Sequence, residues 1–344
     1  MTDRAPVSVI IPAYNGEDFI IEAIQSVLAQ TLPVAEIIVV DDGSSDRTAA
    51  VAECFGAMVI RQANRGVSAA RNAGIRAANT EWIALLDQDD IWAPKKIEYQ
   101  LGAVRLHPNV GIVSCHMSWF EPDAPEECST VTETDLPDES ARTEDSVPRI
   151  KYFPHVHNQL PFCRTTDNPS SVIIRRDLLL AAGLFDETLR QNEDLDCFLK
   201  VITLCPLAIV EQSLIQHRVH VHSRSKDTLE SGLSFIRVFD KLCAEPDKYP
   251  PGAAEAYGAC LRRMLIPFGR SLLEGGRARE ARALFARSLK MSYSHRALIF
   301  WGLAFLGPAI FRQLVKIKTG LGCIRTQRQF GRSSTRAVEE EQYL

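Results

Sequence analysis

The nine cysteines of this 344-residue sequence include no Cys-x-x-Cys pair, and their number is odd. This spacing argues against a disulfide framework and against a structural zinc site, so it predicts a reduced, intracellular compartment. The first apolar run, residues 7–11, stops at Pro12 and is too short for a signal peptide or an anchor. We therefore expect this end of the chain to lie in the cytosol.

Two phosphate-binding fingerprints are also missing. No Gly-x-Gly-x-x-Gly follows the first predicted strand, and Gly-Lys-Ser/Thr occurs nowhere. Their absence argues against a dinucleotide-binding Rossmann domain and a P-loop nucleotide site. The composition, 46% hydrophobic and 24% charged, excludes disordered and collagen-like classes and indicates a globular chain with a core.

Charge is divided unevenly along the chain. Residues 261–336 carry 16 basic and 2 acidic side chains, whereas the first 260 residues must sum to −15 to give the net charge of −4. Ten acids and one base fall in residues 121–145, a composition that predicts an exposed insertion. The basic carboxy-terminal quarter predicts an anionic surface as its partner.

The first 90 residues alternate short β-branched runs with amphipathic stretches. The predicted strands are residues 7–11, 36–40, 57–61 and 82–86, and the predicted helices are 18–30, 48–55 and 67–78. Such alternation predicts an α/β fold with a doubly wound, mostly parallel sheet. Ligands of these sheets bind beyond the carboxyl ends of the strands.

Polar clusters follow three of these four predicted strands. Asp87, Asp89 and Asp90 are the sharpest cluster, because three carboxylates in four residues repel one another unless a cation or strong hydrogen bonds offset the repulsion. Oxygen ligands suit Mg²⁺ or Mn²⁺. We expect Asp87 and Asp89 to face a ligand and Asp90 to cap the helix beginning near residue 93.

Four segments together resemble the inverting glycosyltransferases of family 2, which have the GT-A fold. They are VSVIIPAYN at residues 7–15, IIVVDDGSSD at 37–46, NRGVSAARNAG at 64–74 and LLDQDDIW at 85–92. The resemblance covers about residues 6–225. It implies a GT-A catalytic domain over 1–230, with a nucleotide-sugar half (about 1–110) and an acceptor half (about 111–230), and a helical, basic extension over 231–344.

The resemblance implies a nucleotide-binding site in the first half of that domain. Its expected residues are Pro12, Ala13, Tyr14 and Asn15 in the first loop, then Asp41, Asp42, Arg65, Arg71 and Asp87. One of the two adjacent aspartates would accept from the base, which favours the N–H edge of uracil or thymine and hence a UDP- or dTDP-sugar. The arginines would lie near the nucleotide or diphosphate, although Arg71 can equally be a salt-bridged helix residue.

The resemblance also implies a metal site and a catalytic base. Asp89 would hold a divalent Mn²⁺ or Mg²⁺ ion as the DxD metal ligand, with Asp87 touching the metal or ribose and His220 as a further metal or diphosphate contact. Asp194 would be the general base that takes the proton of the acceptor hydroxyl. The alternatives are that His220 is a packing residue and that Asp194 stabilises the start of its helix.

The chain beyond residue 251 predicts helices. Residues 297–311 are uncharged and include Phe300, Trp301 and Phe305, but they are too few to span a bilayer. Basic residues follow directly. This pattern favours peripheral contact of residues 297–336 with the inner face of the plasma membrane, the alternative being a helix buried against the catalytic domain.

The sequence thus predicts a non-processive, metal-dependent inverting glycosyltransferase. Its acceptor would be a saccharide or lipid-linked saccharide of cell-surface polysaccharide or glycoconjugate synthesis, and nucleic acid is not an expected partner. The rival hypotheses are an inactive nucleotide-sugar-binding scaffold and a sugar-phosphate nucleotidyltransferase. The latter is disfavoured because the loop after the first strand has no arginine or lysine.

Overall fold

A computed structural model describes residues 4–120, 148–154, 168–220, 228–308, 310, 311 and 313. The acidic stretch 121–145 and the basic residues beyond 313 lie outside the described residues. The chain divides into two compact units, Met1–Gly258 and Ala259–Leu344. The domain boundary expected at residue 230 stays a prediction.

One nine-stranded sheet forms the core of the first unit. Its strands are β1 (Ala5–Ala13), β2 (Val34–Asp41), β3 (Met58–Arg61), β4 (Trp82–Leu85), β5 (Ile91–Trp92), β6 (Ile112–Phe120), β7 (Ile150–Phe153), β8 (Ile173–Arg175) and β9 (Leu207–Arg218). The strand order is β3-β2-β1-β4-β8-β6-β9-β5, with β7 paired to β9. Strands β1 to β4 are parallel, and β8 joins them antiparallel to β4. The predicted α/β class with a doubly wound sheet is confirmed.

Ten α-helices are present in the described part of the chain. They are α1 (Ile20–Leu28), α2 (Thr48–Cys54), α3 (Val67–Ala77), α4 (Lys96–Leu106), α5 (Arg176–Ala181), α6 (Glu193–Leu204), α7 (Thr228–Ala244), α8 (Ala253–Glu274), α9 (Ala278–Met291) and α10 (His295–Leu303). The predicted helices at 18–30, 48–55 and 67–78 correspond to α1, α2 and α3, each one to three residues shorter at its ends.

Helix α3 lies unusually close to the sheet. Gly74 of α3 faces β1, where an added Cβ would overlap Ile10 Cγ2. This close approach buries the whole inner side of α3, including the polar side chains of Arg71 and Asn72. The Asn72 amide in turn donates to the Phe185 carbonyl and accepts from the Phe185 amide, which ties α3 to the segment before α6.

A buried ionic network fixes α6 from its other side. The Asp196 carboxylate accepts from Lys200 Nζ (2.6 Å) and Tyr249 Oη (2.7 Å) and pairs with Lys241 Nζ on α7 (2.8 Å). Lys241 also donates to Asp186 at 2.7 Å. The first turn of α6 is therefore held at a fixed position relative to α3 and α7.

Replacing Asp186 by asparagine tests this network through its pH dependence. Burial alone would raise the pKa of Asp186, but hydrogen bonds from Lys241 and Thr188 outweigh it and lower the pKa to about 2. The stabilisation is therefore complete above the unfolded value of about 4 and is lost as pH falls towards 2. We expect Asp186→Asn to lower the free energy of unfolding by about 1 kcal/mol at neutral pH, discounted because the side chain is partly exposed. In urea titrations the difference in free energy of unfolding between wild type and Asp186→Asn should shrink as the pH falls. The exposed control Asp247→Asn should not differ from wild type. A difference for Asp186→Asn that does not change with pH would contradict the low pKa of Asp186.

The second unit contains an aromatic cluster. Phe285 of α9 is fully buried beside Gly269, where a Cβ would overlap its ring, and it stacks on Phe300 of α10 with centroids 5.7 Å apart. Phe311 lies edge-on to Phe300 at 6.0 Å. The apolar run 297–311 thus supplies one side of a small core. Among the described residues, no helix is both long enough and apolar enough to cross a bilayer.

Candidate active site

The loops after β1, β2 and β4 are tied into one surface at the carboxyl end of the sheet. The backbone amide of Tyr14 donates to Gln88 Oε1 (2.9 Å), and Gln88 Nε2 donates back to the Tyr14 carbonyl (3.2 Å). Asn15 exchanges hydrogen bonds with Ser44 and Ser45 in the loop after β2. An added Cβ at Gly16 would overlap the Gln88 amide, so a larger residue there would push Gln88 away from Tyr14.

The predicted nucleotide cradle is partly inside the sheet. Pro12 and Ala13 are the buried last residues of β1, whereas the Tyr14 ring is 49% exposed at the strand's end. Asn15 adopts a left-handed conformation (φ 46°), and its side-chain oxygen holds the Ser45 amide. Tyr14 is therefore the member of this group whose side chain is open to a ligand.

The adjacent aspartates Asp41 and Asp42 have different surroundings. Asp42 accepts three hydrogen bonds, from Gln62 Nε2 (2.7 Å) and from the amides of Arg65 (2.9 Å) and Gly66 (2.7 Å), so both of its oxygens shape the turn before α3. Asp41 accepts one bond, from the Ser44 amide at 3.0 Å. Of the two carboxylates, Asp41 retains more capacity to accept a bond from a base.

Asp90 does not cap a helix, contrary to the sequence expectation. Helix α4 begins at Lys96 without a side-chain cap, and Asp90 is fully buried instead. Its carboxylate accepts from Ser170 Oγ (2.6 Å), Asn168 Nδ2 (3.0 Å) and His217 Nδ1 (2.7 Å). Asp90 therefore joins the segment after β4 to β9 and to the short helix Pro169–Ser171.

The bond from His217 to Asp90 has an electrostatic basis. Burial by itself would lower the pKa of His217, but the hydrogen bond to Asp90 and the charges of Asp90, Asp89 and Asp87 outweigh burial and raise that pKa. A protonated His217 offsets part of the repulsion among the three carboxylates.

Asp89 is the carboxylate of this cluster whose charge is least compensated. Burial and the charges of Asp87 and Asp90 raise the pKa of Asp89, against a smaller lowering by its bond to His220. His220 Nε2 lies 3.0 Å from Asp89 Oδ2, and its ring stacks on Phe19 at 4.8 Å. His220 lies two residues beyond the end of β9 at Arg218. The structure brings His220 to Asp89.

Arg71 connects the two halves of the site. Its guanidinium is fully buried, with Nη2 2.7 Å from Asp87 Oδ1 and Nη1 2.8 Å from Glu193 Oε1. Burial would lower the pKa of Arg71, but the charges of Asp87, Glu193 and Asp194 outweigh burial and raise it. Arg71 is thus a permanent cation between the carboxylate cluster after β4 and the first turn of α6, as the salt-bridge alternative anticipated.

Arg65 stands apart from this buried site. Its side chain is 63% exposed and pairs with Glu187 at 2.8 Å. The two predicted nucleotide-contacting arginines therefore have different environments, one on the surface and one buried behind the carboxylates.

The first turn of α6 carries three acids, of which two are buried on one face and the third is partly exposed. Successive residues of a helix point about 100° apart, so residues three apart share a face. Glu193 and Asp196 accordingly share the buried face, where Arg71 and Lys241 engage them. Asp194 is partly exposed between them, and its Oδ1 accepts the Leu195 amide at 2.8 Å. Of the three carboxylates, Asp194 alone retains substantial exposure.

Sequence reasoning missed several residues that build the site. They are Gln88, Asn168, Ser170, Glu193 and His217, whose partners lie 49 to 127 positions away along the chain. The three-aspartate cluster was the signal that could have pointed to them. Its mutual repulsion requires hydrogen-bond donors nearby, but the cluster does not indicate which parts of the chain supply them.

Within the described ranges, no group of three or more His, Cys, Asp or Glu side chains is arranged to enclose a metal ion. Asp87 and Asp89 offer carboxylate oxygens and His220 bonds Asp89, with all three side chains about one-fifth exposed. This arrangement fits Mg²⁺ or Mn²⁺, which keep few protein ligands and complete their coordination with water and phosphate. The chemistry of the donors is thus compatible with a metal held jointly with a nucleotide.

Comparison with protein families identifies a shared domain. The sequence model described as glycosyl transferase family 2 matches residues 8–163. An uncharacterized glycosyltransferase of Rickettsia typhi is 31% identical over 239 residues, which cover 69% of this chain and 70% of the relative. The succinoglycan biosynthesis protein ExoO of Rhizobium meliloti is 43% identical over 100 residues, or 28% of this chain and 29% of ExoO.

Solved structures support the same fold. TarS 1–349 of S. aureus, in complex with UDP-GlcNAc, aligns with a TM-score of 0.57 at 17% identity over 89% of this chain and 91% of that one. The mannosyltransferase PcManGT of Pyrobaculum calidifontis, in complex with GDP-Man and Mn²⁺, aligns with a TM-score of 0.52 at 18% identity over 89% of this chain and 81% of that one. The chain has the GT-A fold, is a glycosyltransferase, and belongs to glycosyltransferase family 2.

Proposed function

We propose that this protein transfers a sugar from a UDP- or dTDP-sugar to a saccharide or lipid-linked acceptor, with inversion at the anomeric carbon. The observation that carries the proposal is the Arg71 bridge, which joins Asp87 of the donor-side cluster to Glu193, the neighbour of Asp194. The bridge thereby holds the sheet edge proposed to bind the donor next to the start of α6, where the Asp194 carboxylate is partly exposed. The name of ExoO supports polysaccharide biosynthesis as the setting.

Asp194 is the proposed general base. Its carboxylate takes the proton of the acceptor hydroxyl as that oxygen bonds to the anomeric carbon. The bond from this carbon to the diphosphate oxygen breaks on the opposite face, and the nucleoside diphosphate leaves with the bonding electrons. Inversion follows because the single displacement attacks from the face opposite the leaving group.

The donor would be held by groups already identified at the sheet edge. Asp41 accepts the N–H of a uracil or thymine base, since Asp42 is occupied by the turn before α3. Tyr14 offers an exposed ring beside the base. Asp89 and Asp87, with His220, would hold Mn²⁺ or Mg²⁺, and such an ion when bound stabilises the negative charge of the departing diphosphate.

A thermal-shift panel tests the donor proposal. Ligands that bind the native state raise apparent stability, by about 2.7 kcal/mol at 100 times the dissociation constant. We expect the largest shift with a UDP- or dTDP-sugar plus Mn²⁺ or Mg²⁺. A larger shift with GDP-mannose, the nucleotide sugar bound to PcManGT, would overturn the assignment of the base.

Metal dependence makes a sharper prediction for Asp89. Asp89→Asn should weaken the metal-dependent part of donor binding by about 100-fold, and His220→Gln by about 10-fold, because His220 contacts the metal-binding oxygen. The measurement is donor titration by thermal shift with and without Mn²⁺, with exposed Asp247→Asn as the matched control. Unchanged metal dependence in Asp89→Asn would remove this residue from the metal site.

Two other functions predict different results in one assay. An inactive scaffold would bind the donor without turnover, whereas a transferase given Mn²⁺ hydrolyses it slowly to the nucleoside diphosphate. A sugar-phosphate nucleotidyltransferase would instead form pyrophosphate from a nucleoside triphosphate. The first loop argues against that reaction, because it carries no arginine or lysine and Gln88 closes over its Tyr14 backbone.

The proposed site of action is the cytoplasmic side of the cell, peripheral on the inner face of the plasma membrane. The anionic lipids of this leaflet suit the basic residues of 297–336. A lipid-linked acceptor would be presented at the same surface.

A further inference from the structure

The second unit exposes a group of large apolar side chains that lie close together in the sequence. Its members, which we name the apolar patch, are Leu298, Ile299, Trp301, Phe305, Leu306 and Ile310. They are between 36% and 60% exposed and fall within thirteen consecutive residues. Single exposed apolar residues are ordinary on protein surfaces, but six within so short a segment favour a binding surface.

The same segment is anchored by its opposite side. Ala297, Ala304 and Phe311 are buried, and Phe300 lies between Phe285 and Phe311 in the aromatic cluster. Helix α10 and the turn after it are therefore fixed in orientation by packing, and the apolar patch faces outwards. Trp301 and Phe305 meet edge-on at 4.9 Å, which gives the patch a bulky aromatic centre.

One arginine adjoins the apolar patch, and the surrounding sequence is rich in basic residues. The Arg282 guanidinium lies over the Phe305 ring at 4.9 Å and donates to the Ala304 carbonyl. Residues 261–336 carry sixteen basic side chains and two acids, Glu274 and Glu280, which already pair with Arg270 and Arg277. Fourteen positive charges thus remain in this part of the sequence for an anionic partner.

The combination of charges and apolar side chains selects among partners. A second copy that met this one patch to patch would bring the same excess of positive charge to the contact and be repelled. A nucleic acid would satisfy the charge, but it offers no apolar phase for Leu298, Ile299 and Leu306. An anionic bilayer surface satisfies both, because apolar side chains enter the acyl boundary while nearby Lys and Arg side chains are attracted to the lipid charge.

We propose that the apolar patch inserts into the interface of an anionic lipid bilayer and that the surrounding basic residues hold it there. This inference rests on the membrane location given in the proposed function, and it assigns that membrane contact to a specific surface. The patch does not include the carboxylates of the candidate active site, so membrane binding and donor binding can be lost separately.

Co-sedimentation of the full chain with vesicles tests the surface. Wild type should bind phosphatidylcholine vesicles containing phosphatidylglycerol and bind pure phosphatidylcholine far more weakly. The triple variant Ile299→Ser, Phe305→Ser, Leu306→Ser should bind the anionic vesicles at least tenfold more weakly. The matched control is the triple variant Leu28→Ser, Met58→Ser, Leu106→Ser, which removes equally exposed apolar side chains from the first unit and should bind like wild type.

Other outcomes would overturn the proposal. They are failure of wild type to bind anionic vesicles, equal binding by the two triple variants, or a wild-type dimer that the patch variant dissociates without any vesicle binding. Circular dichroism and the donor-induced thermal shift, measured on the same samples, report folding and donor binding. Vesicle binding without a donor shift would contradict the proposed donor alone, whereas a donor shift without vesicle binding would contradict the membrane surface alone.

Discussion

Replacing Asp194 by asparagine should lower kcat for sugar transfer by about 10²- to 10⁴-fold, the usual contribution of a general base. Asparagine preserves the size of the side chain and its acceptor oxygen for the Leu195 amide, so the first turn of α6 stays intact. It cannot take the proton of the acceptor hydroxyl. Donor binding should remain, because the proposed base acts on the acceptor.

The measurement is steady-state transfer from the donor that the thermal-shift panel selects, with the nucleoside diphosphate as the assayed product. Asp247→Asn makes the same chemical change on an exposed surface and should retain wild-type kcat. Asp196→Asn is a poor control, because it removes the partner of Lys200, Lys241 and Tyr249 and disturbs the packing of α6. Full turnover by Asp194→Asn would transfer the role of base to another group.

The elements that the sequence predicted well are those set by local patterns. The helix predicted over 18–30 differs from α1 only at the ends, and it buries Ile20, Ala23, Ile24 and Val27 at helical spacing, although Leu28 of the same apolar pattern is exposed. The same holds for β1, whose β-branched run is buried on both faces. Periodicity predicts such elements because each residue's face depends on its near neighbours.

The second half of the sheet depends on pairing between distant segments. Strand β8 has three residues and pairs antiparallel with both β4 and β6, so its stability comes from neighbours and not from its own pattern. The polar–apolar alternation of residues 217–223 predicts a strand, but β9 runs from Leu207 to Arg218 and contains only the first two of those residues. Short strands and long-range registers carry little local signal.

The carboxylates were found in the sequence, but their partners were not. Asp87 and Glu193, the neighbour of Asp194, meet at Arg71, while the catalytic and metal-binding roles of the predicted carboxylates stay predictions. The sequence predicts Asp90 as a helix cap because a proline just inside a helix start, here Pro94, is a common pattern. Burial decided otherwise, since a fully buried carboxylate needs several donors, and Asn168, Ser170 and His217 supply them.

Replacing Arg71 by methionine should give the largest loss of stability, about 3–5 kcal/mol in the free energy of unfolding. Methionine fills most of the arginine's volume beside Phe185, so the loss reports charge and not a cavity. Without the guanidinium, Glu193 stays almost fully buried but loses its 2.8 Å ion pair with Arg71, and Asp87 loses its 2.7 Å pair. Urea denaturation measures the effect.

Two companion variants separate the buried pair from an ordinary ion pair. Arg65→Met, in the segment just before α3, removes a mostly exposed arginine paired with Glu187 and should cost at most about 1 kcal/mol. Arg71→Met leaves the buried Glu193 carboxylate without its ion pair to Arg71. Combining it with Glu193→Gln removes that negative charge and should recover part of the lost stability. Equal costs for Arg65→Met and Arg71→Met, or no recovery in the double variant, would contradict the bridge. Sugar transfer by this double variant should stay impaired even where its stability recovers. Asp87 and the helix that carries Asp194 are then no longer joined through one cation, and the site depends on holding both in place.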